Sequence, residues 1–462
     1  MLVRDTKRAV LLLCPLVALL LLSVSFWRAD TESLRKKVDS LLWSPKPSGD
    51  GTTTSSDSNV DGGSEKTVAE IPEPTSDSHG RPAPLPPHDA WREIFSASTT
   101  DKKFFEIRFG GLQAFNPNII PHPTRNDTWI IIGQKWVAHD LTKLGFTAHE
   151  IGCNAQFIAD ELRCIDEPEV LPIKPTKGKN LCKAKWELLN LNEGPHDARV
   201  FYGPKKPYII FGSNSDFSCF GMWMQDLREL VPWPAEPLAD KTFRKAIELQ
   251  RPPPVGHIEK NWFLFWDKDD RMYAHHDIFP KRSFAALRET GLVDGPDMAR
   301  RAQQNDEKCL SQYLPKLPEH LESIHQATNS LKITLCKRSD AHCKADDSNT
   351  FIMTIIQHKK YYKWHGEYEP YVVLFRQSAP FELYAISKKP FWISGRERKD
   401  AEDWTSMVYV TSIGWKEHGL KYHAYMDDVL FLGFGIEDSR AGGIDMRAED
   451  LLQDLGLCST AA

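Results

Sequence analysis

Apolar runs of strand length recur along the chain from about residue 105 to 446, each broken by a polar or Gly/Pro-rich turn. "FNPNIIPHPTRNDTWIIIGQKW" from Phe115 reads as one strand pair, and "HDARVFYGPKKPYIIFGS" from His196 as the next. "NWFLFWDKDDRMYAHHDI" from Asn261, "YVVLFRQSAPFELYAIS" from Tyr371, "WTSMVYVTSIGW" from Trp404 and "DDVLFLGFGIEDSRAGGIDM" from Asp427 continue the series. Their sequences differ, so the repeat is one of pattern only. Strong amphipathic helices are scarce after residue 91. "RPPPVG" at 251–256 reads as a linker, and residues 297–325 as a partly helical insertion. The fold class is all-β. Short strand pairs fit four-stranded sheets arranged radially, a β-propeller with functional residues at strand starts; a β-sandwich is the alternative.

Within the second hairpin, Asp197 and Arg199 stand two apart at the start of a strand, so both project to one face, with His196 and Ala198 on the other. Taken alone, an Asp-x-Arg there reads as a surface ion pair.

The leading residues change the picture. Ala9 to Trp27 is 19 residues without a charge, long enough to cross a bilayer. Arg4, Lys7 and Arg8 precede it, which places the short tail in the cytoplasm. Bulky Phe26 and Trp27 and the lack of a small-x-small site favour an uncleaved signal anchor over a signal peptide. Residues 28–90 read as a stem: a short Leu-containing segment, then Ser, Gly, Pro, Thr and Asp, too polar to offset the entropy of ordering. Tail 1–8, anchor 9–27, stem 28–90 and lumenal domain 91–462 form a type II plan.

Eight of the nine cysteines lie beyond the anchor, an even number in an oxidising compartment, and none forms a CxxC zinc pattern. Cys153 with Cys164, and Cys336 with Cys343, are near enough in sequence to close small loops. Asn126 in "NDT" is a glycosylation acceptor. A formal net charge of −5 gives no polycationic footprint, so nucleic acid is not expected as a partner.

Four segments carry a family resemblance: "FNPNIIPHP", "GPHDARVF…PYIIFGS", "EKNWFLFWDKDDRMYAHHDIFP" and "DDVLFLGFGIED…DMRAEDLL". In that order they are similar to segments of five-bladed-propeller β-mannoside phosphorylases. The anchor and the ending "GFGIEDSRAGGIDMRAEDLLQDLG" resemble more closely the fungal β-1,2-mannosyltransferases, Golgi-type enzymes of cell-wall mannan and glycolipid assembly. The resemblance spans about residues 105–455. It implies a five-bladed β-propeller, a Golgi membrane location, GDP-mannose as donor, and a mannan, oligosaccharide or glycolipid acceptor. It makes Asp197 the catalytic carboxylate and Arg199 its same-face partner. The chain departs from the phosphorylase motif in carrying His196 where an acid commonly stands.

Transfer from an α-linked nucleotide sugar to a β product requires inversion, and one displacement supplies it. A carboxylate within reach of the acceptor hydroxyl serves as general base, the part given to Asp197. Arg199, Lys260, His275, His276 and Arg376 are candidates to hold the departing diphosphate. Adjacent strand positions face opposite ways, so at most one of His275 and His276 is expected to serve. Asn116 and Asp438 are candidates for mannose hydroxyls; as turn formers they have a structural alternative. Asp267-Lys268-Asp269 imitates a metal-binding Asp-x-Asp, but a polar turn between two strands explains it, so metal-independent chemistry without a cofactor is expected. Three function classes remain open. They are an inverting mannosyltransferase, a phosphorylase or hydrolase on the same scaffold (with Glu193 or Asp216 as a second acid), and a non-catalytic carbohydrate-binding protein.

Overall fold

A computed structural model describes residues 88–137, 146–176, 178–234, 241–318, 322–362, 365–400 and 404–458. The expected tail and anchor, and all but the last few residues of the expected stem, lie outside the described residues. Among the described residues no helix is long and apolar enough to cross a membrane.

The described chain is mostly β, in five successive runs of antiparallel strands. Ala114–Pro121, Trp129–Lys135, Glu150–Ile158 and Glu161–Cys164 form the first. His196–Tyr202, Pro207–Asn214, Phe220–Asp226 and Ile247–Glu248 form the second. Phe263–Trp266, Met272–Asp277, Ser283–Leu287 and Val293–Asp294 form the third. In the fourth, Glu322–Gln326 and Leu331–Thr334 both pair with the long Thr350–Tyr362 strand, followed by His365–Arg376 and Leu383–Ser387. The fifth is Val408–Trp415, Val429–Ile436 and Arg440–Arg447, completed by Phe105–Arg108 from the other end of the chain. Phe105–Arg108 also runs parallel to Glu161–Cys164, which joins the first and fifth runs into one sheet.

Most of these strands are apolar at successive positions because both faces are buried. Ile209 and Phe211 face the first sheet beside Ile130 and Ile132, whereas Ile210 between them faces the third beside Phe263. The third meets the fourth through Phe265 and Phe375, edge to face at 5.1 Å. The fifth meets the first through Phe431, Trp129 and Ile131. The fourth and fifth meet where Asn329 bonds the Ile413 backbone, so each run lies between two others, the first and fifth being also joined in one sheet.

The first strands of neighbouring sheets are not laddered together; side chains satisfy their edges. Asn118 accepts from the Val200 N–H at 2.9 Å and donates to the Ala198 carbonyl at 3.1 Å. Gln326 donates to the Asn261 and His276 carbonyls at 2.9 and 3.1 Å. Asn329 exchanges two bonds with Ile413, at 2.9 and 3.1 Å. The Thr411 and Ser412 hydroxyls both donate to the Pro117 carbonyl at 2.8 Å. Gly433 lies so close there that a Cβ would stand 2.5 Å from the same oxygen.

Two expectations are corrected in detail, and one strand went unread. Residues 299–313 are helical, but Glu322–Gln326 at the end of the supposed insertion is a strand, its apolar Ile324 too isolated to signal one. The segment from Trp404 is not a hairpin, because Val408–Trp415 pairs with Val429–Ile436. The Thr350–Tyr362 strand was not read from its sequence, since "QHKKYY" continues it in polar residues. Residues 251–256 do connect the second and third sheets. The eight cysteines of the described residues all pair, as Cys153–Cys164, Cys182–Cys219, Cys309–Cys458 and Cys336–Cys343.

Candidate active site

The openings of the first three sheets share one local device. Asn116, Asp197 and Asn261 all adopt positive φ, at 52°, 50° and 60°, a region Asn and Asp enter more readily than other non-glycine residues. At the first two the ladder register also shifts, between Phe115 and Asn118 and between His196 and Arg199. Each shift is a bulge that re-aims a side chain. The expectation that Asp197 and Arg199 share a strand face is corrected on this ground: the bulge interrupts the period of two. Asp197 is half-buried and Arg199 is only 3% exposed, so the pair is not a surface ion pair either.

Asp197 is held on three sides. Asn116 Nδ2 donates to its Oδ1 at 3.0 Å, and its own N–H donates to Gln134 Oε1 at 2.9 Å. Arg199 Nη1 donates to its main-chain carbonyl at 2.5 Å, while Arg199 Nε donates to Ala327 O at 2.7 Å. The guanidinium also lies over the Tyr409 ring, 5.8 Å from its centroid. Arg199 thus fixes the bulge and ties the second sheet to the fourth.

Around this carboxylate the structure gathers residues from the first, second, fourth and fifth runs and, in Lys260, from the segment leading into the third. Tyr409 meets Tyr368 edge to face at 4.9 Å, and Lys359 Nζ stands over the Tyr368 ring at 5.6 Å. Burial pulls Lys359 down to about 8, against the opposing pull of Asp438. Burial also draws Lys260 down to about 7, helped by the charge of Lys359 and opposed by Asp197. His325 falls to about 3 through burial and the charges of both lysines. Burial pushes Tyr409 up to about 12, with Arg199 opposing. Asp438 sits with Glu437 in a positive-φ turn and acts electrostatically on Lys359, Tyr368 and Tyr409.

Sequence reasoning missed Glu150. It is 1% exposed, its Oε1 accepts from the Ala198 N–H at 3.4 Å, and its Oε2 has no hydrogen-bond partner among the described residues. Burial, with Asp197 adding to it, lifts Glu150 to about 8, so it is mostly protonated at neutral pH. His196 next to Asp197 is neutral instead: burial lowers it to about 4, and its ring meets Phe220 at 5.8 Å. Gln134, Lys359, Tyr368, Tyr409 and His325 were also missed. Gln134 and Glu150 face each other in the ladder, a pairing invisible without the register.

Two predicted residues are not brought to Asp197. His275 is wholly buried, stacked on Phe263 at 4.6 Å, accepting from Arg282 Nε at 3.1 Å and bonded to Gln326 Oε1. It serves the core of the third sheet, and burial and Arg282 hold it well below its usual range. Arg376 is exposed over the Phe351 and Tyr384 rings, at the far end of its strand from Tyr368, about 27 Å away at ~3.4 Å per residue. His276 is buried against Trp262 at 4.5 Å. Asp267 to Asp270 form the hairpin turn, with Asp267 Oδ1 accepting from the Asp269 and Arg271 N–H groups at 2.9 Å each. Asn126 is exposed in the loop between the first two strands of the first sheet.

An anion between Lys260 and Lys359 would favour their charged forms and raise both pKa values. Binding of sulfate, which does not itself titrate in this range, should therefore take up protons at pH 8, above the level of Lys260 and at that of Lys359; at pH 6, where both are already charged, uptake should shrink. Calorimetry in buffers of different ionisation enthalpy measures this. Uptake as large at pH 6 as at pH 8 would contradict it.

No family model and no curated protein matches the chain. Among solved structures, it is similar to a β-1,2-mannobiose phosphorylase from Listeria innocua at 12% identity and a TM-score of 0.40, over 78% of this chain and 96% of that one. It is similar to a glycosyl hydrolase from Bacteroides ovatus at 10% identity and a TM-score of 0.37, over 82% and 97%. It is also similar to a GDP-Man-dependent mannosyltransferase from Leishmania mexicana at 10% identity and a TM-score of 0.34, over 74% and 89%.

Proposed function

We propose that the chain is an inverting glycosyltransferase that moves mannose from GDP-mannose to a mannoside or glycan acceptor in β linkage, built on a five-bladed β-propeller. Five antiparallel runs in closed packing order support the propeller, with Phe105–Arg108 completing the last. One observation carries the function: the Asp197 carboxylate, set on a bulge by Asn116 and Gln134, stands within the electrostatic reach of Lys260. In this reading Asp197 takes the proton of the acceptor hydroxyl as that oxygen attacks the anomeric carbon. The bond from that carbon to the diphosphate breaks, and Lys260 and Lys359 receive the charge of the leaving GDP. In the same reading Asn116 and Asp438 meet sugar hydroxyls, and Arg199 is a positioning residue. The anchor at 9–27 and a Golgi membrane location with the catalytic domain lumenal belong to the same proposal.

A phosphorylase is the second reading, because the same two lysines suit inorganic phosphate. Incubating the detergent-solubilised chain with GDP-mannose and mannose oligosaccharides, with and without phosphate, and determining product linkage separates the two. A β-linked product formed from GDP-mannose without phosphate supports transfer; phosphate-dependent release of mannose 1-phosphate supports phosphorolysis. No turnover of either kind would leave a binding protein. We expect transfer to persist in EDTA and Asp269→Ala to keep most activity, since Asp267 to Asp270 are committed to a turn. Loss of activity on both treatments would assign the turn a metal.

A further inference from the structure

Two acids act on each other at the opening of the second sheet, and the proposed chemistry uses only Asp197. The other, Glu150, begins the strand Glu150–Ile158, directly across from Gln134. In the bulge between His196 and Arg199, Asp197 and Ala198 have no ladder partner on the Pro207–Asn214 strand, so their N–H groups need acceptors elsewhere. The first sheet supplies both: Gln134 Oε1 accepts from Asp197 at 2.9 Å and Glu150 Oε1 from Ala198 at 3.4 Å. The bulge that aims the Asp197 carboxylate is thus held by one cross-strand pair, an amide beside an acid.

The acid is the costlier choice, because a second glutamine would offer Ala198 the same kind of oxygen. Glu150 is 1% exposed, and its Oε2 has no hydrogen-bond partner among the described residues. Arg199, the cation that acts on it, directs Nε and Nη1 to the carbonyls of Ala327 and Asp197 instead. A carboxylate buried in this way would lack both a paired cation and a bond to one oxygen, so the neutral form is favoured. The bond to Ala198 agrees, since charge-assisted bonds to a carboxylate run shorter than 3.4 Å.

We propose that Glu150 is a positioning residue that works as a neutral acid, holding the Ala198 N–H so that the bulge keeps Asp197 in place while adding no charge beside it. This rests on Asp197 being the base of the proposed transfer. The groups that face Glu150 set the direction of its titration. Burial, with Asp197 from the second sheet, raises it to about 8, while the Ala198 N–H and Arg199 oppose them. His196 next to Asp197 is neutral, Gln134 opposite carries no charge, and Glu169, on the strand paired with Ile151 and Gly152, is exposed. Below that pH Glu150 is neutral. Above it two carboxylates lie side by side, and their repulsion draws Asp197 off its bond to Asn116.

Kinetics of the full chain in detergent, with GDP-mannose and a mannose oligosaccharide, test this. Glu150→Leu removes the acceptor and should lower kcat ~10–100-fold with little change in the KM for GDP-mannose, the cost of a displaced base. Glu150→Gln restores an acceptor oxygen and should recover most of that loss at pH 7. Its kcat relative to the parent should then rise several-fold by pH 9, where the parent's Glu150 is ionised; Lys260 and Lys359 discharge in both chains and drop out of the ratio. A second readout needs no turnover. A carboxyl whose pKa is raised on folding loses stability as pH climbs from its unfolded level of ~4 to about 8, so the urea midpoint of Glu150→Gln should gain on the parent between pH 5 and pH 8. A midpoint difference that stays flat would overturn the neutral acid. Turnover by Glu150→Gln as slow as by Glu150→Leu, or by Glu150→Leu as fast as by the parent, would overturn the positioning role while leaving mannose transfer by the parent standing. Should Glu150→Leu not fold, the pH ratio and the midpoints of Glu150→Gln decide alone.

Discussion

Asp197→Asn should lower kcat by ~10²–10⁴-fold, the usual contribution of a general base, while leaving donor binding nearly intact. Asn keeps the size of Asp, still accepts from Asn116 Nδ2, and suits a φ of 50° as well as Asp does. The bulge should therefore persist, along with the Arg199 bond to the main-chain carbonyl, which does not involve the side chain. What is lost is the group that takes the proton. Asp269→Asn is the internal control, an acid of equal type in the hairpin turn. Turnover by Asp197→Asn near that of the parent, with unchanged linkage in the product, would show that the carboxylate is not the base.

The largest effect on stability should come from the Cys309–Cys458 disulfide. It joins residues 149 apart, fastening the end of the chain to the helix Gln303–Tyr313. In the chain-entropy account such a closure is worth about 5 kcal/mol, against ~2 kcal/mol for a loop as short as that of Cys336–Cys343. The helix has other attachments: Asp306 pairs with Arg282 at 2.7 Å, and Tyr313 Oη donates to Leu457 O at 3.0 Å. Leu455–Leu457 itself adds an edge strand to Leu383–Ser387. Replacing Cys309 and Cys458 by Ser should therefore lower the urea midpoint much more than the same change at Cys336 and Cys343. Equal shifts would mean that the denatured chain is already constrained by its other contacts.

The strand pairs were legible because their alternation of apolar runs and turns is local. The 196–214 and 429–447 hairpins fall where the pattern put them. Which strand lies beside which sheet was not legible, because Phe105–Arg108 joins residues more than three hundred positions away. At the site, Asp197, Asn116, Arg199, Lys260 and Asp438 could be named because each stands at a strand start or turn, where polar residues interrupt an apolar pattern. Glu150 could not, since a buried acid at the head of "EIGCNAQFI" looks like any strand boundary until its depth is known. Lys359 and Tyr368 sit on a hairpin whose polar half hid it. His275 misled for the opposite reason: a histidine in an apolar strand was there to bond Arg282 and Gln326.

The Phe105–Arg108 strand has a consequence for the order of synthesis. It leaves the ribosome among the first folded residues, yet its antiparallel partner, Arg440–Arg447, is among the last. At ~5–20 residues per second, translation separates the two by roughly 20–70 s. During that interval Phe105 and Ile107, which end up 1% and 5% exposed, have only the first sheet to lie against, and one strand edge stays open. Cys153 and Cys164 can join meanwhile, being local to that sheet. The ring itself cannot be completed by an N-terminal fragment of any length short of the final sheet, so a nascent chain stalled before residue 440 presents quality control with an exposed edge rather than a smaller native domain.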